Sequence, residues 1–379
     1  MSASGVVLEG PLLENTANNL SPEGRRALRW GRREVLWQAS SLQRVRHCGR
    51  VVVDVDAGVT GRNVDGVGGL VGLQHCGSVW ADPVCAGRIL VHRALEIGEV
   101  LGEAVRQGYL LAFLTFTLRH HLGQRLDSVW SAATQAWARS TSGKHWHEAK
   151  ALGVVGWVRV WEVTYGSNGW HPHAHVVMVL KPTAGRLLDQ IAGGMYRRWD
   201  AAARKLGFDT VRAAQDWHLV HGPNSADEVG AYLAKLANTP DEGAGLGLEL
   251  THTLPGRSAA ATATRPPWGI LDHLVLTGEA EAHELWHEWE AGSKGKRQIG
   301  WSKGLRERFV NEVELTDDEI VAQELGTHQH DVLKLDTSTF RELVKVRGRS
   351  LELVEALGRG VGPQLLDSWG LRYTLVKGD

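Results

Sequence analysis

The 379-residue chain is poor in cysteine, with only Cys48, Cys76 and Cys85. Three thiols cannot build a disulfide framework, and such sparse use fits a reducing cytosol. The opening residues, MSASGVVLEGPLLENT, lack the basic-then-apolar layout of a secretory leader. No apolar run approaches the roughly 18 residues of a membrane span. These absences predict a soluble, cytoplasmic protein without a membrane partner. Neither charge sign dominates: 42 Lys and Arg stand against 43 Asp and Glu, for a formal net charge of −1. A nucleic-acid binder usually carries a basic excess, so any contact with DNA has to come from local patches. There is no internal repeat. What is present is ordinary globular composition, 43% hydrophobic and 22% charged, in a chain long enough for two or three domains. Sixteen tryptophans suit a large core or a base-stacking surface equally well.

Residues 1–108 begin with an arginine-rich stretch from Arg25 to Arg33 and continue as Gly- and Val-rich sequence holding the cysteines. Apolar residues at helical spacing from Ile89 to Val105 predict a helix closed by Gly108. The stretch 109–240 is the best organised. It reads as a strand from Leu111 to Leu118, a helix near 124–140, and a hairpin of Val154–Thr164 and His173–Leu180 around Ser167-Asn168-Gly169. A helix near 184–205, a short strand at Asp216–His221 and a helix from Ser225, broken by Pro240, complete it. The order β-α-β-β-α-β is a split βαβ, ferredoxin-like layout, an α+β fold with a central antiparallel sheet. Residues 241–265 read as a linker or mobile loop, and 266–379 as a mainly helical C-terminal region. That region holds an acidic helix at Glu279–Glu290 and a basic stretch from Lys294 to Arg308.

The sharpest motif is Trp170-His171-Pro172-His173-Ala174-His175-Val176-Val177. Alternation along a strand puts His173 and His175 on one face, about 7 Å apart along the backbone. Counting outward from the turn sets Glu162 opposite His173 on the same face. Two imidazoles and a carboxylate leave coordination positions open, which suits Mn²⁺ or Mg²⁺ on a phosphate oxygen, or a catalytic Zn²⁺. A lone His-x-His is more often a pair of satisfied histidines. Here the strand is otherwise apolar, where two polar rings on one face are costly without a partner. His171 shares the parity but sits at the strand entrance beside a proline, as a phosphate or base contact.

A second motif is Asp227-Glu228-Val229-Gly230-Ala231-Tyr232-Leu233-Ala234-Lys235. Helical spacing places Glu228 and Lys235 on the side of Tyr232. A phenol with its usual pKa near 10 is a poor nucleophile, and a neighbouring ammonium would stabilise the phenolate. Glu228 is placed to activate a hydroxyl or water for the reverse step. By spacing alone, an amphipathic helix with a packed tyrosine and a solvated lysine is the commoner reading.

Three motifs in order, Phe113-Leu114-Thr115-Phe116-Thr117-Leu118-Arg119-His120, His173-Ala174-His175 and Tyr232-x-x-Lys235, resemble the HUH endonuclease superfamily. They are most similar to rolling-circle replication initiators of actinobacterial plasmids. The resemblance covers roughly residues 45–310. It implies a nickase and strand transferase that cuts one strand of plasmid origin DNA, leaving a 5′-phosphotyrosyl link and a free 3′-OH primer. In that reading Tyr232 is the nucleophile, His173 and His175 are metal ligands with Glu162 as the third, and Glu228 matches a carboxylate acting in termination. Lys235 assists the tyrosine, and Arg119, His120 and His171 are DNA-contact candidates. Host helicase, DNA polymerase and single-strand binding protein are the implied partners. A conjugative relaxase or transposase with the same chemistry, or a non-catalytic origin-binding protein, are the alternatives.

The match has one departure. Relatives often carry a Cys-Gly-Ser-Val-Trp-x-Cys-Pro-x-Cys segment resembling part of a zinc ribbon. Here Asp82 replaces the middle cysteine of Cys76-Gly77-Ser78-Val79-Trp80-Ala81-Asp82-Pro83-Val84-Cys85. With Cys48, this leaves three thiolates and Asp82, His75 or His47 as a fourth ligand for a structural Zn²⁺, or a ribbon-like remnant held by packing. The basic stretches 25–33 and 294–308 read as solvated faces, with phosphate contact the minority reading and Trp30 and Trp301 as candidate base-stacking rings.

Overall fold

Residues 19–89 together with 315–379 form one compact unit, and Leu90–Glu314 form another. The computed structural model of the protein describes residues 22–220, 264–311, 313–323 and 328–376. The helix expected from Ser225 and most of the segment 241–265 therefore lie outside the described residues.

In the first unit, helices α1 (Pro22–Ala39) and α2 (Gln43–His47) precede a hairpin of β1 (Val59–Val64) and β2 (Val67–Val71). Its two-residue turn, Asp65-Gly66, has φ of 49° and 86°. A tight hairpin needs positive φ at both central residues, and Asp-Gly supplies it at little cost. The other edge of β1 pairs antiparallel with Asp331–Leu335, which in turn pairs with Thr374–Leu375. The C-terminal region is thus not only helical: it contributes two strands to a sheet begun near residue 59. The helix Arg349–Gly358 lies so close to β2 that a Cβ on Gly68 would fall 1.8 Å from the Val354 carbonyl oxygen. Trp30 is buried in this core with Val59, Leu70, Leu333, Phe340 and Leu353, so it is not a base-stacking surface. Arg32 and Arg33 are also buried, so the end of the arginine-rich stretch is interior rather than a solvated face.

The second unit is built on an antiparallel sheet of five strands in the order β6-β3-β5-β4-β7. Its strands are β3 (Leu110–Thr117), β4 (Val154–Gly166), β5 (Gly169–Leu180), β6 (Asp216–Val220) and β7 (Ile299–Trp301). Helix α3 (Pro83–Arg106) leads into β3, α4 (Leu126–Ser140) and α5 (Gly143–Ala151) join β3 to β4, and α6 (Leu188–Lys205) joins β5 to β6. The predicted β-α-β-β-α-β order is present over residues 110–220, with α5 as an additional helix. Both hairpin strands are longer than predicted. Pro172 pairs opposite Val163 within β5, because losing one N–H removes a ladder bond without ending the strand.

The two faces of this sheet are covered differently. On one, Phe116 meets Trp137 of α4 at 6.0 Å and Trp199 of α6 at 5.5 Å. Trp170 stacks at 5.8 Å on Trp289 of the helix Ala280–Ser293. On the other face, Ile97, Leu101 and Ala104 of α3 pack over Leu111, Val158, Val160, Val177 and Val179, and partly buried Trp301 joins them. This apolar cover accounts for one end of the face. The far end of the same strands carries Thr115, Thr117, Glu162, Thr164, His171, His173 and His175. Arg306, from the basic stretch, is buried in ion-pair contact with Glu96, which also binds Arg93 at 3.1 Å.

Candidate functional site

Strand pairing alone assembles the polar end of the sheet. In the β4–β5 register Glu162 lies opposite His173 and Thr164 opposite His171. In the β3–β5 register Thr115 lies opposite His175 and Thr117 opposite His173. Side chains two residues apart share a face, so three strands deliver these groups to one patch. His175 Nε2 and Glu162 Oε2 are 2.9 Å apart, while His175 Nδ1 is 3.3 Å from the Thr115 hydroxyl. His173 and His175 stack nearly parallel, with ring centroids 5.9 Å apart. His171 is 3.7 Å from the His173 ring and shares a 2.6 Å hydrogen bond between its Nε2 and the Thr117 hydroxyl.

Burial grades across the patch. His175 is 6% exposed, whereas His171 and His173 are half-buried and the Glu162 side chain is 35% exposed. The inner imidazole is therefore rigidly held between Thr115, Glu162 and the Phe113 ring at 5.7 Å. The outer groups face solvent. Two imidazole nitrogens and a carboxylate are borderline and hard donors, and they fit a divalent cation that keeps open positions.

Of the DNA-contact candidates, Arg119 is exposed and its backbone N–H is held by the Asp209 carbonyl at 2.8 Å. His120 packs 4.2 Å from His171. Burial pushes its imidazole below the ordinary value, partly opposed by the hydrogen bond to the Leu118 carbonyl. Tyr232, Glu228 and Lys235 lie outside the described residues. The described chain resumes at the end of the sheet bearing the histidines, where Arg265 pairs with Tyr165 through reciprocal backbone bonds of 2.7 and 2.8 Å.

Sequence reasoning assigned no role to Thr115 and Thr117, although their parity with Phe113 was readable in the alternation of β3. It also missed Asp216 and His218, which join at 3.0 Å on the edge strand. His218 lies 5.8 Å from the Phe113 ring, which is also 5.7 Å from His175. Only the β3–β6 register, which sets Asp216 opposite Thr115, brings that pair to the patch.

The cysteine cluster belongs to the first unit. The donor atoms of Cys48, Cys76, Asp82 and Cys85 all lie within 4.8 Å of one another, and all four residues are buried. Among the described residues this is the one group of three or more such side chains gathered so tightly. Cys48 and Cys85 sulfurs are 3.5 Å apart, too far for a disulfide, and all three thiols are free. Asp82 is heavily engaged. It accepts from Arg33 Nε at 3.0 Å and Nη2 at 3.1 Å, and from the Val84 and Cys85 backbone N–H groups at 2.9 Å each. The backbone bonds cap α3, which explains why that helix starts at Pro83 rather than Ile89. Hydrogen bonds from Cys48, Cys76 and His75, together with the Arg33 guanidinium, hold the Cys85 thiol well below its ordinary value despite burial. Burial alone would lower Arg33, but the Asp82 carboxylate and the neighbouring thiols leave it raised.

An α+β unit with an all-antiparallel sheet and a histidine–carboxylate patch defines the class to which known proteins can be compared. Residues 72–186 match the family of replication proteins. It is similar to "Protein rep" of Streptomyces lividans, at 28% identity over 66% of this chain and 66% of that protein. It is also similar to "Neomycin resistance protein" of Streptomyces cyanogenus, at 31% identity over 38% of this chain and 39% of that protein. The chain thus spans just under two thirds of the first relative and about two fifths of the second. No solved structure matches. Among the described residues, no helix is long and apolar enough to cross a membrane.

Proposed function

We propose that this chain initiates plasmid replication by nicking one strand of origin DNA through Tyr232, within a ferredoxin-like HUH domain. The observation that carries the reading is the convergence of Glu162, His173 and His175 on one sheet face, inside a stretch matched by replication proteins. Glu162, His173 and His175 would hold a divalent cation, Mn²⁺ or Mg²⁺, which when bound supplies charge neutralisation at a phosphate oxygen. Thr115 orients His175 through Nδ1, and Thr117 orients His171. His171, with His120 beside it, and the exposed Arg119 contact the DNA backbone.

In the reaction, the Tyr232 phenol oxygen attacks phosphorus and the 3′-oxygen of the preceding nucleotide leaves as the primer hydroxyl. Tyr232 gives up its proton, and Lys235 stabilises the phenolate that forms. The phosphotyrosyl ester conserves the energy of the broken bond, so rejoining at termination needs no nucleotide. Glu228 activates the hydroxyl that attacks that ester. Helicase, polymerase and single-strand binding protein of the host would then act on the primer and the displaced strand.

The test is incubation of the chain with supercoiled origin plasmid and Mn²⁺ or Mg²⁺. Relaxed circles covalently attached to protein are expected, and Tyr232→Phe should abolish the adduct while origin binding stays within a few-fold. An adduct that persists in Tyr232→Phe rules out the assignment. Intact supercoils with a shifted band indicate a protein that binds the origin without cutting.

A further inference from the structure

The first unit contains a second place where metal chemistry is built in, and its composition differs from what the substitution at position 82 suggests. We propose that His75, not Asp82, completes a Cys₃His zinc site with Cys48, Cys76 and Cys85, while Asp82 acts from outside by fixing Arg33 and the start of α3.

The three sulfurs lie within 4.8 Å of one another, close enough to share one ion. With Zn–S bonds of about 2.3 Å, sulfurs on a tetrahedron lie about 3.8 Å apart, and Cys48 and Cys85 are at 3.5 Å. Asp82 lies near them but is committed elsewhere. Its carboxylate takes a two-pronged ion pair from Arg33, with side chains 2% and 0% exposed, and caps two backbone N–H groups. Turning it onto an ion would leave a buried guanidinium uncompensated and two N–H groups uncapped. His75 is in the opposite condition. Both of its ring nitrogens are buried, and neither makes a well-aligned hydrogen bond, although the ring reaches the Cys85 thiol. Such poorly satisfied buried nitrogens are costly, and the ring, itself half-buried, stands next to Cys76 in the chain and against the Cys85 sulfur. Ligation to a metal satisfies one nitrogen and gives the ring a reason to be there.

The charges agree. Asp82 and Arg33 cancel, so three thiolates and a neutral imidazole on Zn²⁺ leave one buried negative charge. The Arg33 Nη2 group, 3.7 Å from the Cys85 sulfur, is placed to stabilise it. A Cys₃Asp site would carry the same total buried charge but place one more negative charge on the ion's own ligands and draw Asp82 away from Arg33.

The test uses the full chain, assayed first for zinc as purified, then stripped and reloaded with Co²⁺. One Zn²⁺ per chain in the purified protein and, on reloading, thiolate-to-cobalt charge transfer with the visible bands of a tetrahedral three-sulfur, one-nitrogen site are expected. The thiolate band separates this ion from any held by Glu162, His173 and His175. His75→Cys should move the spectrum to that of four thiolates, and His75→Ala should weaken Zn²⁺ binding by about tenfold or more. Asp82→Asn should keep the wild-type bands. Absence of any thiolate-to-cobalt band overturns the proposal. So does a His75→Cys spectrum identical to wild type, because the fourth donor is then another group.

Discussion

Replacing Asp82 by alanine probes the interior of the first unit through one side chain. Asp82 is 0% exposed and pairs with Arg33, itself 2% exposed, so the substitution leaves a guanidinium in an apolar interior without its counter-charge. Removing one member of such a buried pair costs about 3–5 kcal/mol. The Val84 and Cys85 N–H groups lose their acceptor as well, a cap loss of about 0.5–2 kcal/mol. Together these give roughly 4–7 kcal/mol, a large part of the 5–15 kcal/mol typical of a folded domain. The measurement is hydrogen exchange at the amides of residues 22–89 across a urea series, under one fixed metal condition. It isolates this unit from the other, whose unfolding need not coincide. The companion variant Arg33→Met with Asp82→Leu removes both charges together. It should recover most of the loss and retain only the cap deficit, because an apolar pair has no desolvation penalty to meet. If Asp82→Ala stays within about 1 kcal/mol of wild type, or the double variant is as damaged as the single one, the buried pair does not hold this core.

Glu162→Gln should lower Mn²⁺ affinity by about 10–100-fold, measured by calorimetry, while origin DNA binding changes little; unchanged Mn²⁺ affinity removes Glu162 from the ligand set. Gly68→Ala should destabilise the first unit by more than about 1 kcal/mol, because its Cβ would meet the Val354 carbonyl oxygen at 1.8 Å with only backbone to move; a urea midpoint equal to wild type would contradict that close approach. Asp336 caps the helix Thr337–Leu343, and hydrogen bonds, first from the Ser338 hydroxyl and then from the Thr339 N–H, hold its carboxyl at about 2 against an ordinary 3.8. A depressed folded value means the contribution is complete above pH 4 or so and is lost as pH falls toward 2. The stability gap between wild type and Asp336→Asn should therefore shrink over that interval, and stability curves that stay parallel through it would refute the cap.

The histidine patch was largely legible in the residues because it depends on short-range geometry. Once Ser167-Asn168 is recognised as a turn, a period of two and a count outward set Glu162 against His173, and that pairing is present. The β-α-β-β-α-β order was readable for the same reason, since each element carries its own apolar period and the connections between them are short. Arg265 marks a boundary of that legibility: nothing in its neighbourhood announces pairing with Tyr165, a hundred residues away.

Long-range pairing lies beyond such counting. That Asp331–Leu335 completes the sheet of β1 joins residues nearly three hundred positions apart, and neither strand carries a mark naming its partner. Burial of arginine is equally silent. Arg33 closes a basic run that reads as solvated, and only the folded chain shows Asp82 waiting for it beside the thiols. The same holds for Arg306 with Glu96. Local order follows from propensity and period, which a chain carries along its length. The environment of a charge depends on what the rest of the chain brings against it, and packing alone decides that.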